Sequence, residues 1–495
     1  MKLYVTGNVN EYYVQTLCMI FFPGEKFSGE EEPGAPVMWM DVTEDETQVT
    51  ATARLTYRGK ETRAEKVYLF DEENTADRTR KIAVGHAVLS TAGEMMHYRP
   101  SWGMLTGVRP SKVATELLQK GMSKTQVRKK LASQYQVLTK KAALATDVAI
   151  REQKIIGTPD KKDCSVYISI PFCPTRCTYC SFVSYTSKRL LSLIPDYLTL
   201  LCREVRQKFA TIKELGLRVL TVYIGGGTPT ILTEEQLETL LSTVAECTDV
   251  TALQEYTLES GRPDTITKGK MELAKKYGVT RVCVNPQTLC DEVLKGVGRC
   301  HSAEDFRKSY NIAREAGIDC INTDLIVGLP GDTYENFCKS YDEILQMAPE
   351  NITVHTFCVK KSAEILREGK RVYNLRGGDA GKCVDYSQIA SAAQGYAPYY
   401  MYRQKNMVGN YENVGFAKDG KECLYNIYMM EEVHSIFAAG AGAVTKLVDY
   451  AAPQSGGKSF IKRLFNPKYP YEYLESDGGA AQADAITEFY RERGI

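Results

Sequence analysis

The chain has 495 residues, 43% of them hydrophobic and 25% charged, and its 62 basic and 61 acidic side chains leave a formal net charge of +1. That length suggests roughly three domains. The near-neutral charge argues against a protein that coats nucleic acid, and no apolar run reaches membrane-spanning length. The opening stretch, MKLYVTGNVNEYYV, lacks the charged, apolar and small-residue regions of a signal peptide, so a cytoplasmic location is expected and the fifteen cysteines are read in a reducing compartment.

Residues 1–98 alternate short apolar runs with polar turns. KLYVTG, YYVQTLCMIFFP, TQVTATARLTYRG and EKVYLFD read as strands of a small β-containing domain within an α+β extension. Residues 99–160 read as a helical connector. One helix starts after Pro110 and stops at Gly121; a second starts at the Ser123-x-x-Gln126 capping box and runs to about Ile155.

From 161 to 365 the pattern repeats. The buried-type strands VYISI, VLTVYIGGG, EYTLES, RVCVNPQ, DCINTDLIVGLP and NITVHTFCV are each followed by an amphipathic helical stretch. Capping signals stand at Thr233-x-x-Gln236, at Ser302 and at Asp332-x-x-Glu335. Such alternation predicts an α/β fold of parallel strands with right-handed crossovers, an open partial (β/α)6 barrel. Parallel barrels carry their chemistry at the C-terminal ends of the strands. Residues 366–495 read as a C-terminal region of mixed α/β type covering the substrate.

Directly after the first strand comes PFCPTRCTYC, which sets Cys173, Cys177 and Cys180 in a C-x3-C-x2-C array. The bland reading, chance clustering of small buried thiols, suits Cys18, Cys202, Cys247, Cys283, Cys320, Cys338 and Cys358 better than it suits this spacing. Thiolates hold zinc or iron–sulfur clusters. Zinc with three ligands usually draws on histidine, and the nearest in sequence, His97 and His301, are not local. A 4Fe–4S cluster on three cysteines leaves one iron open to the amino and carboxylate groups of S-adenosylmethionine, whose one-electron cleavage yields a 5′-deoxyadenosyl radical. One strand later, YIGGGTPT offers glycine amides that suit the carboxylate of such a cofactor, although a tight strand-to-helix turn explains them equally well.

With these motifs assembled, YISIPFCPTRCTYCSF, YIGGGTPT, LESGRPD, NPQTL…LKGVGRCH and DLIVGLPGDT resemble the radical S-adenosylmethionine family of oxygen-independent coproporphyrinogen III dehydrogenases over residues 165 to about 360. WGMLTGVRPSK and MYRQKNMVGNYENVGF resemble its longer branch, which carries an N-terminal extension. The resemblance implies that Cys173, Cys177 and Cys180 hold the cluster, and that Tyr167, Tyr179, Gly226, Gly227, Thr228 and Glu259 contact the cofactor. It also implies that Gln287, Arg299 and Asp324 contact a second molecule of S-adenosylmethionine. Read from the residues alone, Asp324 in an apolar strand needs a partner, such as a ribose hydroxyl or Arg299. The implied reaction converts two propionates of coproporphyrinogen III to vinyls, with an electron donor for the cluster and an unidentified electron acceptor.

Two features depart from the family. Phe182 stands where the short branch has another cysteine, and Asn285-Pro286 replaces a usual Gly-Val. The first departure keeps a heme chaperone on the same scaffold as the alternative; an RNA-modifying radical enzyme is disfavoured by the neutral charge. A tetra-acid substrate calls for cationic side chains, and Arg403 and Lys405 are the candidates, with a solvated hairpin tip as the competing reading. AAGAGAV (438–444) is either backbone close to the macrocycle or a small-residue packing turn.

Overall fold

The computed structural model describes residues 1–107, 109–180, 182, 184–358, 378–404, 407–451 and 459–494. The expected boundary at 365/366 and the candidate Lys405 lie outside the described residues. The chain forms two compact units. One comprises Met1–Ile150, Tyr373–Gly381 and Met401–Glu412; the other comprises Arg151–Val372, Lys382–Tyr400 and Asn413–Ile495.

The first unit holds a four-stranded sheet in the order β1-β2-β3-β4, with β1 Lys2–Gly7, β2 Val37–Glu44, β3 Gln48–Tyr57 and β4 Lys60–Leu69. β1 runs parallel to β2, and β2, β3 and β4 are antiparallel. Strict alternation in β3 buries Val49, Ala51, Ala53 and Leu55 on one face, as a period-2 pattern requires. YYVQTLCMIFFP, expected as a strand, is instead helix Glu11–Phe21. Its buried residues Val14, Leu17, Cys18 and Phe21 recur at helical spacing, and the Asn10 side chain caps the start by accepting from Tyr13 N. A second helix, Ala76–Met96, capped by Thr75, packs on the same sheet.

The long connector helix is two helices, Lys124–Gln134 and Thr139–Ile156. The Ser123/Gln126 capping box forms as expected. Gln136, between the two, sits at φ +55, a left-handed conformation that no continuous helix tolerates. This unit also buries an ion pair. Lys141 and Glu412 are both completely buried, and Glu412 accepts the Trp102 indole N–H at 2.7 Å.

In the second unit the six predicted strands appear as β5 Asp163–Ile170, β6 Arg218–Gly226, β7 Glu255–Leu258, β8 Arg281–Cys283, β9 Cys320–Val327 and β10 Asn351–Thr356. Each pairs in parallel with the next. The crossovers are helices Ile194–Glu214, Glu234–Cys247, Lys268–Lys276, Ala303–Glu315 and Tyr334–Met347. The Thr233/Gln236 and Ser302/Asp305 boxes are present. The last helix is capped one residue later than expected, by Thr333, whose hydroxyl accepts from Asn336 N.

The remaining strands are β11 Ala397–Tyr402, β12 Asn413–Ala417, β13 Ser435–Ala439, β14 Val444–Asp449 and β15 Phe460–Phe465. They extend both edges, giving among the described residues an eleven-stranded sheet in the order β11-β12-β10-β9-β8-β7-β6-β5-β13-β14-β15. The six parallel strands are therefore an open partial barrel. β12 lies antiparallel on β10, and β13 lies parallel on β5. The 438–444 turn is a packing contact: Gly440 has φ +100, a Cβ there would come within 2.6 Å of Ser169 O, and its amide donates to the Glu204 carboxylate at 2.8 Å. Among the described residues no helix is long and apolar enough to cross a membrane.

Candidate radical-chemistry site at the barrel mouth

The cysteine loop leaves the C-terminal end of β5 and is pinned at both ends. Cys173 N donates to Tyr185 O at 3.1 Å, Tyr185 N donates to Pro171 O at 2.9 Å, and Thr178 N donates to Val297 O at 3.1 Å. Cys173 and Cys177 are buried, Cys180 is half-buried, and all three are free thiols. Burial pushes the Cys173 thiol up and the Cys180 thiol up to about 11, so their thiolates need a metal to displace the proton. Among the described residues no three or more histidine, cysteine or carboxylate side chains, these cysteines included, are gathered around a single ion. Three thiols on one pinned loop suit a multi-iron cluster, whose ligands sit on separate irons, better than they suit a single ion.

The glycine turn after β6 explains itself by close approach. A Cβ on Gly227 would stand 2.6 Å from Phe172 O and 3.0 Å from Cys173 Sγ. Gly227 N donates to Ile170 O and Thr228 N to Phe172 O, both at 2.8 Å. Those two amides therefore serve the cysteine loop rather than standing free for a ligand carboxylate, as the sequence had suggested. The Gly226 amide hydrogen-bonds Glu259, and the Thr228 hydroxyl lies 3.2 Å from Cys173 Sγ. Gly227→Ala should displace the loop. The expected result is a folded protein, unchanged in far-ultraviolet circular dichroism, that retains less than about half of the wild-type iron after anaerobic reconstitution; full iron content would contradict this close-packing account.

Below the cysteine loop, Tyr167 stacks on Tyr223 (centroids 6.1 Å apart, 24° between planes) and on Tyr425 (6.1 Å, 18°), and Tyr223 stacks on Tyr425 at 4.6 Å. Glu259, just beyond β7, faces this stack. Burial, and then the charge of Asp324, raises its carboxyl to about 8. The folded protein thus holds a proton there that the unfolded chain, with an ordinary value of 4.5, gives up earlier. Stability should fall as pH rises from about 4.5 to about 8. Glu259→Gln should flatten that slope in a plot of urea midpoint against pH; an unchanged slope would place the proton elsewhere.

Asp324 is not partnered by Arg299. Its carboxylate accepts from Asn285 Nδ2 and Asn322 Nδ2, each at 2.8 Å, and lies 3.6 Å from His355 Nε2. Burial works to raise it, but His355 and then Asn322 hold it below the usual carboxylate range. The Asn285 departure is thereby accounted for: its amide reaches across to Asp324, and its Oδ1 accepts from Asp324 N at 3.1 Å. Arg299 instead donates to Tyr179 OH at 3.0 Å, Gly261 O at 3.1 Å and Asn285 O at 3.3 Å. Gln287 is strained, with φ +71, and its buried Oε1 has no partner.

One cysteine-loop neighbour was not singled out in the sequence: Arg262, whose guanidinium reaches Thr175 and Cys177. Phe182, which was, is 70% exposed. Arg403 is not an exposed basic tip. It belongs to the first unit, is 3% exposed, and donates to Leu105 O and Asn410 Oδ1.

An open parallel barrel with three thiols at the end of its first strand is the architecture of a radical S-adenosylmethionine protein, and residues 167–344 match the Radical SAM superfamily. The chain is 35% identical over 470 residues to the oxygen-independent coproporphyrinogen-III oxidase-like protein HemZ of Bacillus subtilis, covering 93% of this chain and 92% of that protein. It is 32% identical over 279 residues to the heme chaperone HemW of the same organism, covering 56% and 70%. Among solved structures, Escherichia coli coproporphyrinogen III oxidase HemN, a radical SAM enzyme, matches at 18% identity with a TM-score of 0.48, covering 69% of this chain and 84% of that one. The chain belongs to the family of oxygen-independent coproporphyrinogen-III oxidase-like proteins within the Radical SAM superfamily. Membership implies a 4Fe–4S cluster and S-adenosylmethionine.

Proposed function

We propose that this chain is a radical SAM enzyme that decarboxylates two propionates of coproporphyrinogen III oxidatively to vinyls, giving protoporphyrinogen IX. The observation that carries this reading is collinearity. The match to the coproporphyrinogen-III oxidase-like protein runs through 93% of the chain, whereas the match to the heme chaperone takes in 56%.

In this reading Cys173, Cys177 and Cys180 hold the cluster, and S-adenosylmethionine takes the open iron. Bound together they supply one-electron cleavage of a sulfonium and hence hydrogen-atom abstraction. The protein's own part is position and surroundings. The Tyr167–Tyr223–Tyr425 stack supplies an aromatic, largely apolar surface inside the barrel. Glu259, protonated near neutral pH, is a hydrogen-bond donor, while the ionised Asp324 is an acceptor for hydroxyl or ammonium groups. Tyr179, oriented by Arg299, closes the side next to Cys180. Gln287 and Arg299 are the candidates for holding a second cofactor molecule, on the strength of the strained, orphaned Gln287 amide.

One observation favours heme binding instead: Phe182 leaves no fourth thiol beside Cys180 and is exposed. An anaerobic assay separates the two. Cluster-loaded protein, reductant, S-adenosylmethionine and coproporphyrinogen III, with an added electron acceptor, should yield protoporphyrinogen with 5′-deoxyadenosine. Cofactor cleavage without loss of carboxylates, alongside stoichiometric heme binding, would establish the chaperone reading.

A further inference from the structure

Arg262 is buried to 3% exposure behind the cysteine loop, at a place where a charge is costly. Each of its three nitrogens has a partner. Nε and Nη2 form a two-pronged pair with Asp264, at 3.0 Å to Oδ1 and 2.9 Å to Oδ2. Nη1 donates to Thr175 O at 3.1 Å and Thr175 Oγ1 at 2.8 Å, and stands 3.9 Å from Cys177 Sγ. Arg299 is a second buried cation that interacts with Cys177. The environment is lopsided, because the hydrogen-bonding groups at Cys173 Sγ are the hydroxyls of Thr228 and Ser184, with Arg262 acting on it only through its charge, whereas at Cys177 Sγ the guanidinium itself makes the contact. A purely structural tie for the loop needs the contacts to Thr175 alone. It does not need a guanidinium turned to the sulfur of the middle cysteine and then partly neutralised by a carboxylate.

We propose that Arg262 sets the reduction potential of the cluster, with Asp264 as its counterweight. The proposal rests on Cys173, Cys177 and Cys180 being the cluster ligands. Hydrogen bonds to ligand sulfur, nearby charge and exposure fix the potential of an iron–sulfur centre. Reduction adds one negative charge to a centre already carrying three thiolates. A guanidinium near Cys177 Sγ therefore stabilises the reduced form more than the oxidised one. Asp264 holds the guanidinium in place and subtracts from its field. The two residues should consequently shift the potential in opposite directions, which a merely structural pair would not do.

The test is a redox titration of the cluster-loaded full chain without S-adenosylmethionine, followed by the paramagnetic signal of the reduced cluster. Iron and sulfide per chain are measured first. Arg262→Gln should keep wild-type iron and sulfide and titrate at a more negative potential. The reduced-to-oxidised ratio at fixed potential should fall about tenfold, equivalent to about 59 mV for one electron. Arg262→Lys, which keeps the charge but loses the fork, should fall between Gln and wild type. Asp264→Asn should move the potential the other way. An unchanged potential in Arg262→Gln, or shifts of the same sign at 262 and 264, would overturn the proposal. If Arg262→Gln loads no cluster, Arg262→Lys and Asp264→Asn decide it, and same-sign or absent shifts in those two overturn it. Wild-type protein that takes up no iron and sulfide would overturn the ligand assignment itself, a result distinguishable from all of these.

Discussion

Cys177→Ala protein, reconstituted anaerobically with iron and sulfide, should show neither the broad visible absorbance of a cubane cluster nor stoichiometric iron. Its hydrogen-abstraction activity should drop to background. The loss exceeds the roughly 10- to 100-fold typical of removing an outer partner of a metal ligand, because a ligand itself is gone. The substitution is clean. The loop is fixed by backbone bonds from Cys173 N to Tyr185 O and from Thr178 N to Val297 O, none of which uses the Cys177 side chain. Far-ultraviolet circular dichroism should therefore match wild type. Retained iron and sulfide in this variant would refute the ligand set.

The second large effect concerns stability. Lys141→Met leaves Glu412 without its ammonium partner at a site of zero exposure. Removing one member of a buried pair costs about 3–5 kcal/mol; because Glu412 keeps the Trp102 indole and the charge of the buried Arg403, the low end of that range, about 3 kcal/mol, is expected. The measurement is unusually selective, since the chain has two tryptophans, Trp39 and Trp102, and both lie in the first unit. Urea unfolding followed by tryptophan fluorescence thus reports that unit. Replacing both partners, as in Lys141→Met with Glu412→Leu, should recover part of the loss, less what Trp102 gives up as a hydrogen bond and the buried Arg403 as a counter-charge. A single-variant cost below about 1 kcal/mol would show that the pair is solvated in practice.

The barrel and the cysteine loop were legible because each depends on a short run of chain. A strand buried on both faces writes itself as VYISI or INTDLIVG, and a three-thiol loop as C-x3-C-x2-C. Helix Glu11–Phe21 was misread because Tyr, Val, Ile and Phe favour strands by composition. The spacing of Val14, Leu17, Cys18 and Phe21 and the Asn10 cap settle it the other way. His355, Tyr425 and Arg262 were not legible as site residues. Each is ordinary in its own segment and acquires a role only when a distant strand or turn sets it against Asp324, Tyr223 or Cys177. Within LESGRPD the one available signal for Arg262 was a cation in a motif that ends a buried strand. Arg403 failed as a rim residue for the converse reason: a polar-looking segment, MYRQKNMVGNYENVGF, folds its arginine inward.

The pairing of β13 with β5 has a consequence for how the protein is made. Ala439 lies beside Ile168, about 270 residues earlier in the chain. At ribosomal rates of about 5–20 residues per second, the β5 edge leading into the cysteine loop waits roughly 15–50 seconds for its neighbour. During that interval the strand edge is unsatisfied, on a nascent chain whose first unit has already emerged in large part. The completed sheet is therefore a late event of synthesis, later than the cysteine loop's own backbone hydrogen bonds, which reach no further than Val297. Shortening the chain before residue 435 would leave the strand that carries the cysteines permanently open to other chains.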